Sequence, residues 1–234
     1  MSGTLYGLGI GPGDPELLTL KALRLIRSAP VLAYPATPEG ESRARAIVAP
    51  HVPGGQTEIP IRVPFGADRA RTEAAYDEAA ETLGGHLAEG RDVAMLCLGD
   101  PFLYGTFMYL FARISGRFPV MIVPGVSSLT AAAAALKLPL AARDDVLTIV
   151  PATLGADEIA ARIEDADAAA IVKIGRHFAK ARRVLESLGL AGRARYVEHA
   201  TMEDERVLPL AEVQDGEVPY FSMILVHKRG EAWR

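Results

Sequence analysis

Hydrophobic positions along the chain fall into short uninterrupted runs, separated by stretches in which apolar residues recur every three or four positions. The runs predict strands at 3–9, 30–34, 92–98, 120–123, 146–150, 169–174, 195–198, 206–209 and 220–228. The spaced stretches predict helices at 15–27, 72–88, 107–115, 128–136, 156–163 and 178–188. The first helix has a marked start, with Asp14 placed to cap it and Pro15 at its first position. In the first half the strands read as apolar on both faces, as strands of a parallel sheet covered by helices do. The runs at 206–209 and 220–228 lie close in sequence and are expected to pair antiparallel. This alternation predicts an α/β protein of two α/β domains, an N-terminal mostly parallel sheet with helices and a C-terminal mixed sheet with helices. The boundary is placed at 127, giving domains 1–127 and 128–234, with the active-site cleft expected between them. The alanine run at 131–135 is expected to form a closely packed helix.

Composition narrows the function classes. Half of the 234 residues are hydrophobic and 23% are charged, which suits a chain that buries a core. The longest apolar runs, near 93–98 and 119–124, are too short to cross a bilayer. The first residues lack the basic and apolar blocks of a signal peptide, so a cytoplasmic location without a membrane partner is expected. A single cysteine, Cys97, rules out an internal disulfide framework and a cysteine-rich metal site, and its apolar neighbours place it in the core. No metal is expected. A net charge of −4 argues against a nucleic-acid partner.

Three strand exits carry candidate chemistry. The first runs from Gly7 to Asp14 (GLGIGPGD), where glycines permit a sharp turn and close approach of a ligand. A dinucleotide fingerprint fails here in register, because its third glycine position falls on Pro12 or Asp14. The second strand ends in Tyr34-Pro35 where a nicotinamide enzyme places an acid, and no Gly-Lys-Ser or Gly-Lys-Thr phosphate loop exists. Spacing alone leaves a ligand loop and a tight ligand-free turn equally open. The second exit is Leu98 to Phe107, with Asp100 held by Pro101 and flanking glycines. The third is Pro124 to Ser128, whose serines suit helix capping.

Taken together, 7–21 (GLGIGPGDPELLTLK), 99–105 (GDPFLYG) and 124–128 (PGVSS), in this order and spacing, resemble the signature of the tetrapyrrole methylase family, and the resemblance extends over essentially the whole chain. Within the family, Gly105-Thr106-Phe107-Met108-Tyr109 and Tyr34-Pro35 resemble the members that methylate C20 of precorrin-2, and the Gly-Arg-Gly-Gly-Glu of the uroporphyrinogen enzymes is absent. The resemblance implies S-adenosylmethionine as methyl donor, bound folded between the two domains and released as S-adenosylhomocysteine. Carried onto matching positions, Pro12, Leu98, Gly99, Asp100, Leu103, Ser127 and Ser128 are cofactor-binding residues, joined in the second domain by Ile174, Ala200 and, through its backbone, Ser222. It further implies a tetrapyrrole acceptor, precorrin-2 or cobalt-factor II, a step in cobalamin biosynthesis, and a homodimer.

The acceptor chemistry sets the remaining expectations. An electron-rich meso carbon attacks the sulfonium methyl group directly, so orientation and water exclusion carry the catalysis. A proton then leaves C20, and the candidate acceptors are Asp100, Tyr104 and Asp14, with Asp100 reading more as an organiser of its loop. Substrate carboxylates call for basic partners, for which Arg62 and Arg176 are the candidates, with Arg69, Arg71, Lys173, His177 and Lys180 behind them. The alternatives are another methylase of the same family and, from a different class, a non-catalytic cofactor- or nucleotide-binding module.

Overall fold

Side chains point alternately to the two faces of a strand, and this alternation sorts the apolar runs of the N-terminal half onto both faces of one sheet. The computed structural model describes residues 1–63, 69–214 and 216–229. The chain divides into two compact units, Met1–Ser127 and Ser128–Arg234. The first unit contains β1 (Leu5–Gly9), α1 (Leu20–Ser28), β2 (Val31–Ala36), α2 (Arg43–Val48), β3 (Thr57–Arg62), α3 (Arg69–Ala88), β4 (Val93–Cys97), α4 (Phe107–Ile114) and β5 (Val120–Val123). Its five strands lie in the order β3-β2-β4-β1-β5, and every pairing is parallel. Leu5, Val31, Val93 and Met95 face Tyr76, Leu83 and Leu87 of α3 and Phe107, Leu110 and Ile114 of α4. Leu8, Leu32, Ala94 and Leu96 face Ile26 of α1 and Ile47 and Val48 of α2. Cys97 is buried on the first of these faces, and burial pushes its thiol pKa far up, so no thiolate is available there.

Three local departures from the sequence reading have physical causes. The helix expected at 15–27 is two pieces. Asp14 caps a 3-10 turn at Pro15–Leu17, extended Leu18 breaks it, and Thr19 caps α1 anew by accepting from the Ala22 amide at 3.1 Å. β2 continues through Pro35 to Ala36, because its pairing with β4 stops at Ala33 and the proline therefore removes no donor from that ladder. The helix α2 and the strand β3 have no counterpart in the sequence reading.

The second unit contains α5 (Ser128–Leu136), β6 (Leu147–Pro151), α6 (Ala156–Glu164), β7 (Ala168–Val172), α7 (Phe178–Ser187), β8 (Ala194–Glu198), β9 (Arg206–Pro209) and β10 (Ser222–His227). The sheet order is β6-β7-β10-β8-β9, with β6 and β7 parallel and all other neighbours antiparallel. One face packs on α6 and α7 through Ile159, Ile163, Phe178 and Leu185, and the other packs on α5 through Leu129, Ala131 and Ala132. The alanines of α5 permit the close approach expected of them.

The runs at 206–209 and 220–228 do not pair with each other. Both pair with β8, one on each side. β10 is buried at every position and takes a place with neighbours on both sides, whereas the largely exposed β9 goes to the edge. The strand expected at 169–174 ends at Val172, because Lys173 adopts a left-handed φ of 57° and Ile174 caps a 3-10 turn.

Candidate functional site

Parallel strands end on one edge of their sheet, and in open α/β sheets ligands bind where neighbouring strands send their connections to opposite faces. In the first unit β1 and β4 are such neighbours: β1 leads to α1 on one face and β4 leads to α4 on the other. Beyond the strands their chains stay in contact. The Ile10 amide donates to the Cys97 carbonyl (3.0 Å) and the Gly99 amide to the Gly11 carbonyl (2.8 Å). Gly11 and Gly99 have φ of 78° and 64°, values open to glycine, and these turns send the two loops apart.

The exit of β5 closes against the same point. A Cβ on Gly9 would stand 2.4 Å from the Gly125 amide nitrogen and 2.8 Å from the Gly99 carbonyl oxygen, and a Cβ on Gly125 would stand 2.2 Å from that same oxygen. Three strand exits therefore meet backbone to backbone. Asp100 ties the exits of β4 and β5 together: Oδ1 accepts from the Phe102 amide (2.9 Å) and Oδ2 from the Gly125 amide (3.1 Å). Both carboxylate oxygens thus hold main-chain donors.

After Pro101 the loop is tight, since a Cβ on Gly105 would lie 2.5 Å from the Pro101 carbonyl oxygen. Tyr104 sits in the left-handed region at φ 55° and is 44% exposed. Phe102, Leu103, Met108 and Tyr109 are exposed around it. Pro12 is buried beside Gly11, Leu98 is half-buried and Gly99 is buried. Asp14 accepts from the Glu16 amide at 2.7 Å. Ser127 is half-buried, and exposed Ser128 opens α5. The structure thus gathers Pro12, Leu98, Gly99, Asp100 and Leu103 at one edge, with Ser127 following the exit of β5. Arg62 ends β3 on that edge, exposed, three strands from β1 and so about 14 Å away. Arg71 is exposed early in α3, and the Arg69 side chain lies outside the described residues.

In the second unit β7 and β8 run parallel to each other with β10 antiparallel between them, so their exits meet the start of β10 at one edge. Lys173, His199 and Thr201 all adopt left-handed backbone there, a clustering typical of functional sites. Ile174 is fully buried in the core, so it offers a ligand only its main chain. Ala200 is buried in the core cluster against α5. Ser222 turns inward, its Oγ 3.1 Å from the Tyr196 hydroxyl, which in turn donates to Glu198. Glu198 also accepts from Arg206 at 2.9 Å. Burial, with the Glu198 hydrogen bond adding to it, pushes the Tyr196 hydroxyl pKa far up, so the phenol stays neutral.

The His199 ring lies against this edge, with Nδ1 2.5 Å from Asp204 Oδ2. Neither its pairing nor the part played by Gly125 is read from the sequence. Among the basic candidates, Arg176 is exposed and its Nε lies 3.5 Å from His177 Nε2. Burial, then the positive Lys180 and Arg176, hold the His177 pKa below its ordinary value. Lys180 donates to the Leu154 carbonyl.

Among the described residues no group of three or more His, Cys, Asp or Glu side chains is arranged to hold a metal ion, and no helix is long and apolar enough to cross a membrane.

Comparison with known proteins fits this geometry. The chain is 45% identical over 232 residues to the cobalamin biosynthesis protein CobIJ of Mycobacterium tuberculosis, covering 96% of this chain and 46% of that protein. It therefore spans about half the length of that relative. It is 40% identical to the precorrin-2 C(20)-methyltransferase of a Sinorhizobium species, over 96% of this chain and 95% of the relative. It is 37% identical to the cobalt-precorrin-2 C(20)-methyltransferase of Salmonella typhimurium, over 99% of each. Among solved structures, a uroporphyrin-III C-methyl transferase from Thermus thermophilus complexed with S-adenyl homocysteine superposes with a TM-score of 0.69 at 27% identity, covering 99% of this chain and 94% of that one. The profile of the Tetrapyrrole (Corrin/Porphyrin) Methylases matches residues 4–214. With a match over that length and relatives of this identity, the chain belongs to the tetrapyrrole methylases.

Proposed function

We propose that this chain transfers a methyl group from S-adenosylmethionine to the C20 meso carbon of precorrin-2, or of its cobalt-containing counterpart cobalt-factor II, in cobalamin biosynthesis, giving precorrin-3A or its cobalt counterpart. The observation that carries this reading is the 40% identity to a precorrin-2 C(20)-methyltransferase across nearly the full length of both chains. S-adenosylmethionine supplies a methyl group on a positively charged sulfur.

The residues present suit such a ligand. Gly9 and Gly125 let the strand exits approach backbone to backbone, since a Cβ on either would overlap main-chain atoms, and Gly99 turns there at a left-handed φ. Pro12, Leu98, Gly99 and Leu103 supply a mostly apolar wall, Asp100 fixes its loop, and Ser127 and Ser128 follow the third exit. In the second unit Ile174, Ala200 and Ser222 contribute main-chain groups. Arg62 and Arg176, both exposed, meet substrate carboxylates. Asp100 serves as a loop and cofactor organiser, since each of its oxygens already accepts a main-chain hydrogen bond. The protein acts in the cytoplasm as a homodimer, with a tetrapyrrole and no nucleic acid or membrane as its partner.

The test is incubation with purified precorrin-2 and with cobalt-factor II in the presence of methyl-labelled S-adenosylmethionine, followed by mass and NMR analysis. A single methyl group at C20 is expected. Methylation at a pyrrole-ring carbon overturns the C20 assignment.

A further inference from the structure

We propose that His199, oriented by Asp204, is the base that removes the C20 proton once the methyl group has been transferred. The assignment rests on the C20 methylation reading given above.

The chemistry requires a proton acceptor. The C20 electron pair forms the new carbon–methyl bond while the methyl–sulfur bond breaks and its electrons stay on sulfur. The macrocycle is left with one positive charge and with both a methyl group and a hydrogen on C20. When a base takes that hydrogen as a proton, the C–H electrons return to the conjugated system. Substrate and sulfonium have then become methylated product, thioether and one proton held by the base.

His199 is built for that task. Its Nδ1 lies 2.5 Å from Asp204 Oδ2, and a carboxylate at that distance accepts a hydrogen bond, which places the ring proton on Nδ1. The lone pair of Nε2 is then the basic site. Nε2 has no hydrogen-bond or ion-pair partner among the described residues, yet it is not among the atoms buried without one, so it stays open to an incoming group. The ring is held firmly. Its side chain is 12% exposed against 63% for Asp204, and its own amide donates to the Phe221 carbonyl at 2.8 Å. The strained backbone at His199 and Thr201 fixes the turn that carries Asp204 back onto the ring. His199 also directly precedes Ala200 at the strand exit proposed for the methyl donor.

The other candidates are less suited. Asp100 and Asp14 already accept main-chain hydrogen bonds. A neutral phenol such as that of Tyr104 is a weak proton acceptor, whereas a neutral imidazole carries a basic ring-nitrogen lone pair.

The experiment uses C20 proton exchange as well as turnover. In deuterium oxide, with S-adenosylhomocysteine replacing the methyl donor, the wild type is expected to exchange the C20 hydrogen of bound precorrin-2 or cobalt-factor II, because the same base delivers a deuteron and removes the proton. His199→Gln is expected to slow both this exchange and methylation by about 10²-fold or more. Its calorimetric affinity for S-adenosylhomocysteine should stay within about threefold of wild type, a difference under about 1 kcal/mol. Asp204→Asn, at an exposed position, should show a smaller loss of both rates, and free imidazole should restore part of the turnover of His199→Ala. Wild-type exchange and turnover in His199→Gln overturn the assignment, as does a loss of S-adenosylhomocysteine affinity in step with turnover. A wild type that acts on C20 of neither substrate overturns the C20 reading and this base with it. An active wild type beside an indifferent His199→Gln overturns the base alone.

Discussion

Asp100 illustrates how one side chain sets the geometry of several loops. Its two oxygens accept from amides on two different strand exits, and a charged acceptor makes such bonds stronger than neutral ones. Asp100→Ala strands both amides, and each loss is worth about 1–3 kcal/mol locally. We expect this variant to bind S-adenosylhomocysteine at least about tenfold more weakly by calorimetry, a cost of about 1.4 kcal/mol. Asp100→Asn keeps one carbonyl oxygen and should fall between the two. Equal affinity in all three proteins would remove Asp100 from the proposed donor site. Gly125→Ala tests the same place from another direction, because the new Cβ would lie 2.2 Å from a backbone oxygen that cannot move aside cheaply. Overpacking of this kind typically costs about 1–3 kcal/mol, and a thermal melt of the variant should show it.

At the scale of elements, β1 and α4 make a close approach at one pair. A Cβ on Gly7 would stand 2.5 Å from the Phe107 ring, so the strand carries a glycine where the helix carries a large ring. Gly7→Ala is expected to lower stability by about 1–3 kcal/mol, and adding Phe107→Leu should recover part of that loss in denaturant unfolding. Additive losses would mean that the two residues are not coupled.

A second clip joins α2, β2 and β3. Arg45 makes two hydrogen bonds to Glu58, at 2.8 and 2.9 Å, and the Tyr34 hydroxyl adds a third. Chiefly through Arg45, the Glu58 carboxyl is held below its ordinary pKa. A carboxyl depressed on folding stabilises the fold above its unfolded pKa and ceases to do so as pH falls through the folded value. Arg45→Ala should therefore cost stability at pH 7, by less than about 1 kcal/mol for a pair this exposed. The difference from wild type should shrink as pH falls below the ordinary glutamate value of about 4.3 and vanish once pH is below the depressed folded value. A gap that persists at low pH would assign the cost to lost packing instead.

Elements and site are legible in the sequence to different depths. The strand at 120–123 reads true at both ends because Pro119 and Pro124 bound it, and the helix at 128–136 does so because serine opens a continuous small apolar run. α2 escapes notice because Arg43–Val48 is too short for a helical period to show between its two arginines. β3 escapes because Pro60 interrupts a run with few apolar residues, and the edge position of the strand tolerates that proline. The glycine-rich exits are legible because a backbone constraint leaves glycine in the sequence. The His199–Asp204 pair is not, because left-handed histidine and threonine make the turn that joins them and no glycine marks it.

Each of the two units of the molecule carries its own sheet and its own hydrophobic clusters on both faces. A ligand that binds only the folded protein raises stability by mass action, by about 2.7 kcal/mol at a hundredfold excess over Kd. For a chain of this length, S-adenosylhomocysteine should raise the melting temperature by roughly 2–4 °C per kcal/mol, while NAD and ATP should leave it unchanged. A shift with ATP and none with S-adenosylhomocysteine would favour a nucleotide-binding module. Sedimentation at micromolar concentration should show a dimer, and a monomer would contradict the proposed assembly.

The backbone meeting of Gly9, Gly99 and Gly125 has a consequence for anyone wishing to redirect the enzyme. Where main chains touch, substitution at Gly9 or Gly125 offers no graded choices: any side chain pushes the strand exits apart, so the proposed donor seat is retained whole or lost. The exposed residues Phe102, Tyr104, Met108 and Tyr109 are under no such restriction, since they project from the loop and helix that follow. A mutant library aimed at a new acceptor or a new carbon should therefore leave the three glycines and Leu103 untouched and diversify those four positions. Altered regiochemistry should then appear in variants that still bind S-adenosylhomocysteine with unchanged affinity.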